Sequence, residues 1–98
     1  MIWLEMISIR TGGIMEAGKV FEICGEMFQC IADEKLLKWN VFCSAKYATD
    51  ISIHLQWKSD YASASILGRE MSLALGDLGL INHTLWIEEE VRTAPTWK

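Results

Sequence analysis

Positive charge is scarce in this chain: nine lysines and arginines stand against 13 aspartates and glutamates in 98 residues, a formal net charge of −4. Lys35 and Lys38 are the densest basic pair, whereas a protein that tracks phosphates needs a basic stripe. Nucleic acid is therefore not an expected partner. Long apolar runs are missing too. None approaches the roughly 20 residues that span a bilayer, so no membrane partner is expected. Residues 1–10 carry no basic leader and hold Glu5 inside an apolar stretch, which reads as a strand and not as a signal peptide. Cysteine is sparse and odd in number. Cys24, Cys30 and Cys43 form neither the even set of a disulfide framework nor a zinc-binding spacing. No metal site is expected, and the thiols are expected to be reduced and mostly buried in a cytoplasmic protein. Internal repeats and low-complexity tracts are absent.

What is present is apolar and aromatic. The apolar fraction is 51%, with five tryptophans. A chain this short forms one domain, read here as residues 1–90 with a loose tail at 91–98, and buries only about two-thirds of its unfolded surface. Surplus aromatic surface must then meet a partner, because large exposed patches are rare on monomers.

The periodicity predicts six elements. A strand covers residues 2–10 and breaks at Gly12-Gly13. Ile14, Ala17, Phe21, Cys24, Phe28 and Ile31 then recur at helical steps, and residues 32–34 read as the helix end. Leu37, Trp39, Val41 and Cys43 alternate with Lys38, Asn40, Phe42 and Ser44 in a second strand. Residues 46–50 form a hairpin connection. Ile51, Ile53, Leu55 and Trp57 alternate strictly with Ser52, His54, Gln56 and Lys58, the clearest strand in the chain. Ser59 is the expected N-cap of a second helix, with Asp60 in its first turn. That helix carries Leu67, Met71, Ala74, Leu75 and Leu78 on one side, flanked by Ile66 and Leu73, and stops at Gly76 or Gly79. Residues 80–88 make the last strand, and Glu88-Glu89-Glu90 is its charged end.

The order βαββαβ is the ferredoxin-like arrangement, a four-stranded antiparallel sheet in spatial order 4-1-3-2 with both helices on one face. Ser52, His54, Gln56, Lys58, Asn40, Phe42 and Trp86 should then lie on the uncovered face. The third strand lacks the basic aromatic motif of an RNA-binding sheet. Sheet-to-sheet homodimerisation accounts better for Phe42, Trp86 and the aromatic excess.

The decapeptide from Ile53 to Ala62, an apolar strand ending in Trp57 followed by Lys58-Ser59-Asp60, resembles the antibiotic biosynthesis monooxygenase family and its haem-degrading relatives. Element order agrees from about Ile2 to Glu88. The resemblance implies a dimeric α+β barrel with a ligand cavity between helices and sheet, and it maps the family's cavity Trp onto Trp57. Haem-degrading relatives place an axial His on the second helix and an Asn on the first strand. Residues 59–79 contain no His, and residues 2–10 no Asn. Asp33-Glu34-Lys35 replaces the Pro-Gly-Cys-like turn common in the family.

Cofactor-free members oxidise electron-rich aromatics, which requires a base for a phenolic proton, a donor for the anion, and aromatic walls. His83, which shares alternation with Ile81, Leu85 and Ile87 and so is expected to face the helices, is the candidate catalytic base; Trp57 and Tyr61 are the candidate pocket walls and Arg69 the candidate anion partner, with no cofactor expected. Each also has a structural explanation: His83 as a hydrogen-bonded strand residue, Trp57 as core packing, Arg69 as a solvated helix residue. His54 and His83 stand at opposite strand phase and do not pair. The expected function is binding of an apolar or aromatic small molecule, with cofactor-free monooxygenation as the reaction. The alternative is a non-catalytic structural or ligand-sensing module whose cavity its own side chains fill. A haem-handling protein is a third reading.

Overall fold

A computed structural model describes residues 1–91; apart from Val91, the expected tail lies outside the described residues. The elements are β1 (Ile2–Thr11), α1 (Ile14–Gln29), β2 (Leu36–Cys43), β3 (Asp50–Lys58), α2 (Ile66–Leu75) and β4 (Gly79–Ile87). They build one antiparallel sheet in the order β2-β3-β1-β4, the predicted ferredoxin-like topology. Strict alternation orients the central strands. Trp3, Glu5, Ile7 and Ile9 of β1 and Ile51, Ile53, Leu55 and Trp57 of β3 are all buried beneath the helices. In register, Trp3 lies opposite Trp57, and Ile7 lies between Ile53 and His83.

The helices meet this face with phases that periodicity placed only in part. On α1 the buried residues are Ala17, Val20, Cys24 and Phe28, while Ile14 and the expected Phe21 are exposed. Val20 carries the contact because both three- and four-residue steps connect Ala17 to Cys24, and only packing chooses between them. Burial pushes the Cys24 thiol up to about 11. Cys30 and Cys43 are exposed, against the expectation of mostly buried thiols. On α2, Gly68, Met71 and Leu75 are buried, whereas Ala74, Leu73 and Ile66 face out.

Three boundaries differ from expectation. Helix α1 ends at Gln29, three residues short, with Cys30 as its C-cap. Helix α2 begins at Ile66 and is capped by Ser65, whose Oγ accepts from Gly68 N at 2.8 Å. Ser59 serves elsewhere: its Oγ accepts from Trp3 Nε1 at 2.8 Å and donates to the Tyr61 carbonyl at 2.9 Å. In β2 a register shift between Leu36 and Lys38 puts Leu36, not Leu37, opposite Trp57. A bulge adds one residue to one strand and so exchanges the faces on either side of it. Trp39 remains on the helix side, stacked on Phe28 at 3.9 Å between ring centroids.

The other sheet face is bare. It carries Ile2, Leu4 and Met6 at half-burial, Phe42 and Trp86 about half exposed, and Asn40, His54 and Gln56 among them. The His54 ring bonds Ser52 Oγ at 2.8 Å and lies 4.8 Å from the Phe42 ring, and burial lowers its pKa from the ordinary histidine value. No helix among the described residues is long and apolar enough to cross a membrane.

Candidate functional site

Strand alternation delivers one carboxylate to the inside of the molecule. Glu5 shares the inward phase of Trp3, Ile7 and Ile9 and is fully buried. A buried ionised group costs several kcal/mol unless it is paired and hydrogen-bonded. Glu5 is both. Its Oε1 accepts from Trp57 Nε1 at 3.0 Å and Ser65 Oγ at 2.6 Å, and its Oε2 accepts from Ser65 N at 3.0 Å and His83 Nε2 at 2.6 Å. Four donors on two oxygens match the acceptor capacity of a carboxylate. The same bonds assign the proton of His83 to Nε2, because the group opposite can only accept.

These partners come from three elements around β1. Trp57 is the last inward residue of β3, and His83 arrives from β4 on the other flank. Ser65 presents the N-terminus of α2, where unsatisfied N–H groups and the positive end of the helix dipole favour an anion. Glu5 therefore takes the backbone N–H and the hydroxyl of the N-cap residue at this terminus. Helix α2 comes this close because residue 68 is glycine. A methyl group built there would overlap the Glu5 carboxylate.

Beside the cluster a groove of about 500 Å³ opens between the segment entering α2, the residues that follow α1 and the end of the sheet. Trp3, Trp57, Tyr61, Ser65 and Leu67 contribute to its walls. The two indoles stack, with centroids 5.9 Å apart and planes 22° from parallel. A second hollow, of about 460 Å³, lies at one end of the bare face around Phe42, Leu80 and the exposed Arg10–Asp50 ion pair. It has no buried charged group. The groove next to Glu5 is thus the stronger candidate site, and its size falls within the range of ligand pockets, roughly 300–1,000 Å³.

Of the residues named from the sequence, Trp57 and Tyr61 border this groove. His83 faces the helices, as its alternation predicted, but reaches the site through Glu5 and is not itself part of the groove wall. Arg69 is exposed on α2 and stands outside the groove. Sequence reasoning missed Glu5, Ser65 and Trp3. One signal was there for Glu5: a lone carboxylate in the buried phase of an otherwise apolar alternation. Haem would need an axial ligand, and His83, the one histidine on the helix side, has its Nε2 on Glu5. Among the described residues, no three His, Cys, Asp or Glu side chains are placed to hold a metal ion.

Fold and site together define a ferredoxin-like α+β domain with a buried carboxylate at the junction of helix and sheet. No protein-family model matches the chain, and no curated protein matches it in sequence. Solved structures do match it in fold. A conserved protein from Methanosarcina mazei Go1 superposes with a TM-score of 0.72 at 8% identity, covering 90% of this chain and 93% of its own. A Deinococcus radiodurans protein assigned to the antibiotic biosynthesis monooxygenases gives 0.70 at 14% identity, covering 98% of this chain and 100% of its own. The cofactor-independent oxygenase SnoaB from Streptomyces nogalater gives 0.64 at 14% identity over 92% and 95% of the two chains. The chain has the fold of the antibiotic biosynthesis monooxygenases, as the decapeptide around Trp57 implied.

Proposed function

We propose that this protein binds a planar aromatic small molecule in the groove between helices and sheet and acts on it as a cofactor-independent oxygenase. The observation that carries this reading is the pairing of an open groove, lined by exposed Tyr61 and bordered by the largely buried Trp3 and Trp57, with a hydrogen-bonded buried carboxylate behind its wall. The fold shared with SnoaB, itself described as a cofactor-independent oxygenase, supports the reaction class.

Residues of this chain suffice for the proton step. A hydroxyl of the bound aromatic passes its proton to Ser65 Oγ as Ser65 passes its own to Glu5 Oε1. The electron-rich anion left in the groove is the species that dioxygen oxidises. His83 donates to Glu5 Oε2 and so holds the carboxylate in position beside Ser65. His83 therefore acts on the carboxylate and not on the ligand.

Saturable quenching of tryptophan fluorescence by hydroxylated aromatics, together with oxygen uptake that follows ligand concentration, is the expected result. His83→Gln should leave ligand affinity within about twofold and lower the rate of oxygen uptake, as expected of a residue that positions a base without touching the ligand. A panel of phenols that neither quenches nor consumes oxygen would favour the competing reading. In that reading the Glu5 cluster is a purely structural tie between β1, β3, β4 and α2.

The bare sheet face is proposed as the surface of a homodimer, since Phe42 and Trp86 remain half exposed beside Ile2, Leu4 and Met6. Sedimentation at micromolar concentration should return a dimer, and Phe42→Asp with Trp86→Asp should return a monomer that keeps its fold. A wild-type monomer would remove the barrel assembly and leave the subunit site untouched. The three free thiols suit a reducing compartment such as the cytoplasm.

A further inference from the structure

The bare sheet face is ordered in rows that run across the strands. Its middle row holds Met6 of β1, with Thr84 of β4 on one side and His54 and then Asn40 on the other. Charge is kept away from this row. The Arg10–Asp50 pair stands two rows off at one end, and Lys58 and Glu88 stand two rows off at the other, roughly 13 Å along the strands. Lys38, one row away, is a cation and lines the same hollow as His54, with Leu4, Asn40, Phe42 and Gln56. Among the described residues no carboxylate faces the imidazole. Its polar partner is Ser52 Oγ at 2.8 Å, a hydroxyl that can bond either protonation state but cancels no charge. The face is large enough for a stable contact. Four strands of about nine residues span roughly 600 Å² in projection, which side-chain relief raises toward the roughly 800 Å² that each partner of a standard interface buries.

Resting on the bare face as the homodimer surface, we infer that His54 makes this association acid-sensitive: the two chains join with neutral imidazoles and separate when His54 is protonated. A two-fold contact centred on the face sets the middle row against the same row of the second copy. Two imidazolium ions would then be enclosed together, and a buried charge without a partner is strongly unfavourable. Partial burial already lowers the His54 pKa in the single chain, and cover by a second copy lowers it further. The dimer therefore binds fewer protons than two separate chains. Its stability is complete above the His54 pKa of the free chain and falls as the pH drops through that value.

Sedimentation of the full chain over a concentration series tests the inference, with far-ultraviolet circular dichroism following the fold at each pH. The dissociation constant of the dimer should rise about tenfold between about pH 8 and about pH 5.5, since each chain must give up a proton to associate. His54→Gln keeps a neutral polar side chain at a half-buried strand position and leaves the Glu5–His83 contact on the other face intact. It should dimerise as the native chain does at the higher pH and hold that affinity at the lower. A native dissociation constant that does not change with pH overturns the inference and leaves the dimer standing. The same acid response in His54→Gln overturns it as well, because another group then carries the switch. A native chain that is monomeric at about pH 8 removes the inference and the dimer reading together.

Discussion

Glu5→Ala is expected to destabilise the domain by about 3–5 kcal/mol, the usual result of removing one partner from a buried ionic cluster. The substitution takes the acceptor from Trp57 Nε1 and His83 Nε2 and removes the partner of Ser65 N and Ser65 Oγ. Each buried donor left unmade costs about 1–3 kcal/mol, and water entering the vacated space recovers part of that. For a domain of this size 1 kcal/mol moves the melting temperature by about 4–8 °C, so a fall of at least about 12 °C is expected. Thermal melts followed by far-ultraviolet circular dichroism measure it. Glu5→Gln keeps the volume but turns an amide NH2 toward donors, and should fall between alanine and the native chain. A loss below about 1 kcal/mol for alanine would mean that water already supplies the cluster and that the carboxylate is not the desolvated hub described above.

Substituting alanine for glycine should change sign with position. Gly68→Ala is expected to destabilise by about 1–3 kcal/mol through overpacking, and by more if Glu5 gives up its bonds to make room. The reason is local: a methyl group at position 68 meets the Glu5 carboxylate, and helix α2 cannot retreat without breaking the Ser65–Glu5 contacts. Gly18→Ala and Gly25→Ala add the same methyl group to exposed positions of α1 where nothing lies within 4 Å. There alanine's helix propensity acts alone, and each should stabilise by up to about 1 kcal/mol. Chemical denaturation of the three variants gives the comparison. A stabilising Gly68→Ala would contradict the close approach of α2 to β1.

The two sets of variants also separate stability from ligand binding. Gly18 and Gly25 are remote from the groove, so their substitution should leave every affinity unchanged. Gly68→Ala perturbs the carboxylate behind the groove wall and should alter both.

Much of the architecture was written in short-range pattern. The eight-residue alternation from Ile51 to Lys58 is a strand with two faces in any packing, because side chains on a strand have period two. The same rule directed His83 and Trp57 to the helix side and Phe42 and Trp86 to the bare side. Element order then left the ferredoxin-like topology as the way to bury both helices on one face. What pattern could not decide was the choice among locally equivalent options. Ser59 and Ser65 are both competent helix caps. The structure uses Ser65 because Glu5 waits beside it, while Trp3 takes Ser59. Leu36 and Leu37 are both apolar, and only the bulge selects the one that faces Trp57.

The site belongs wholly to tertiary structure. Glu5 meets Trp57, Ser65 and His83 across 52, 60 and 78 residues of chain. Each partner taken alone has an ordinary structural explanation. Strand period in the sequence determined the face that Glu5, Trp57 and His83 would occupy, while nothing local placed Ser65. Their convergence was decided by the antiparallel register of three strands and by the closeness of α2 that Gly68 permits, since a carboxylate is stable in an apolar core only where such a packing brings donors to it.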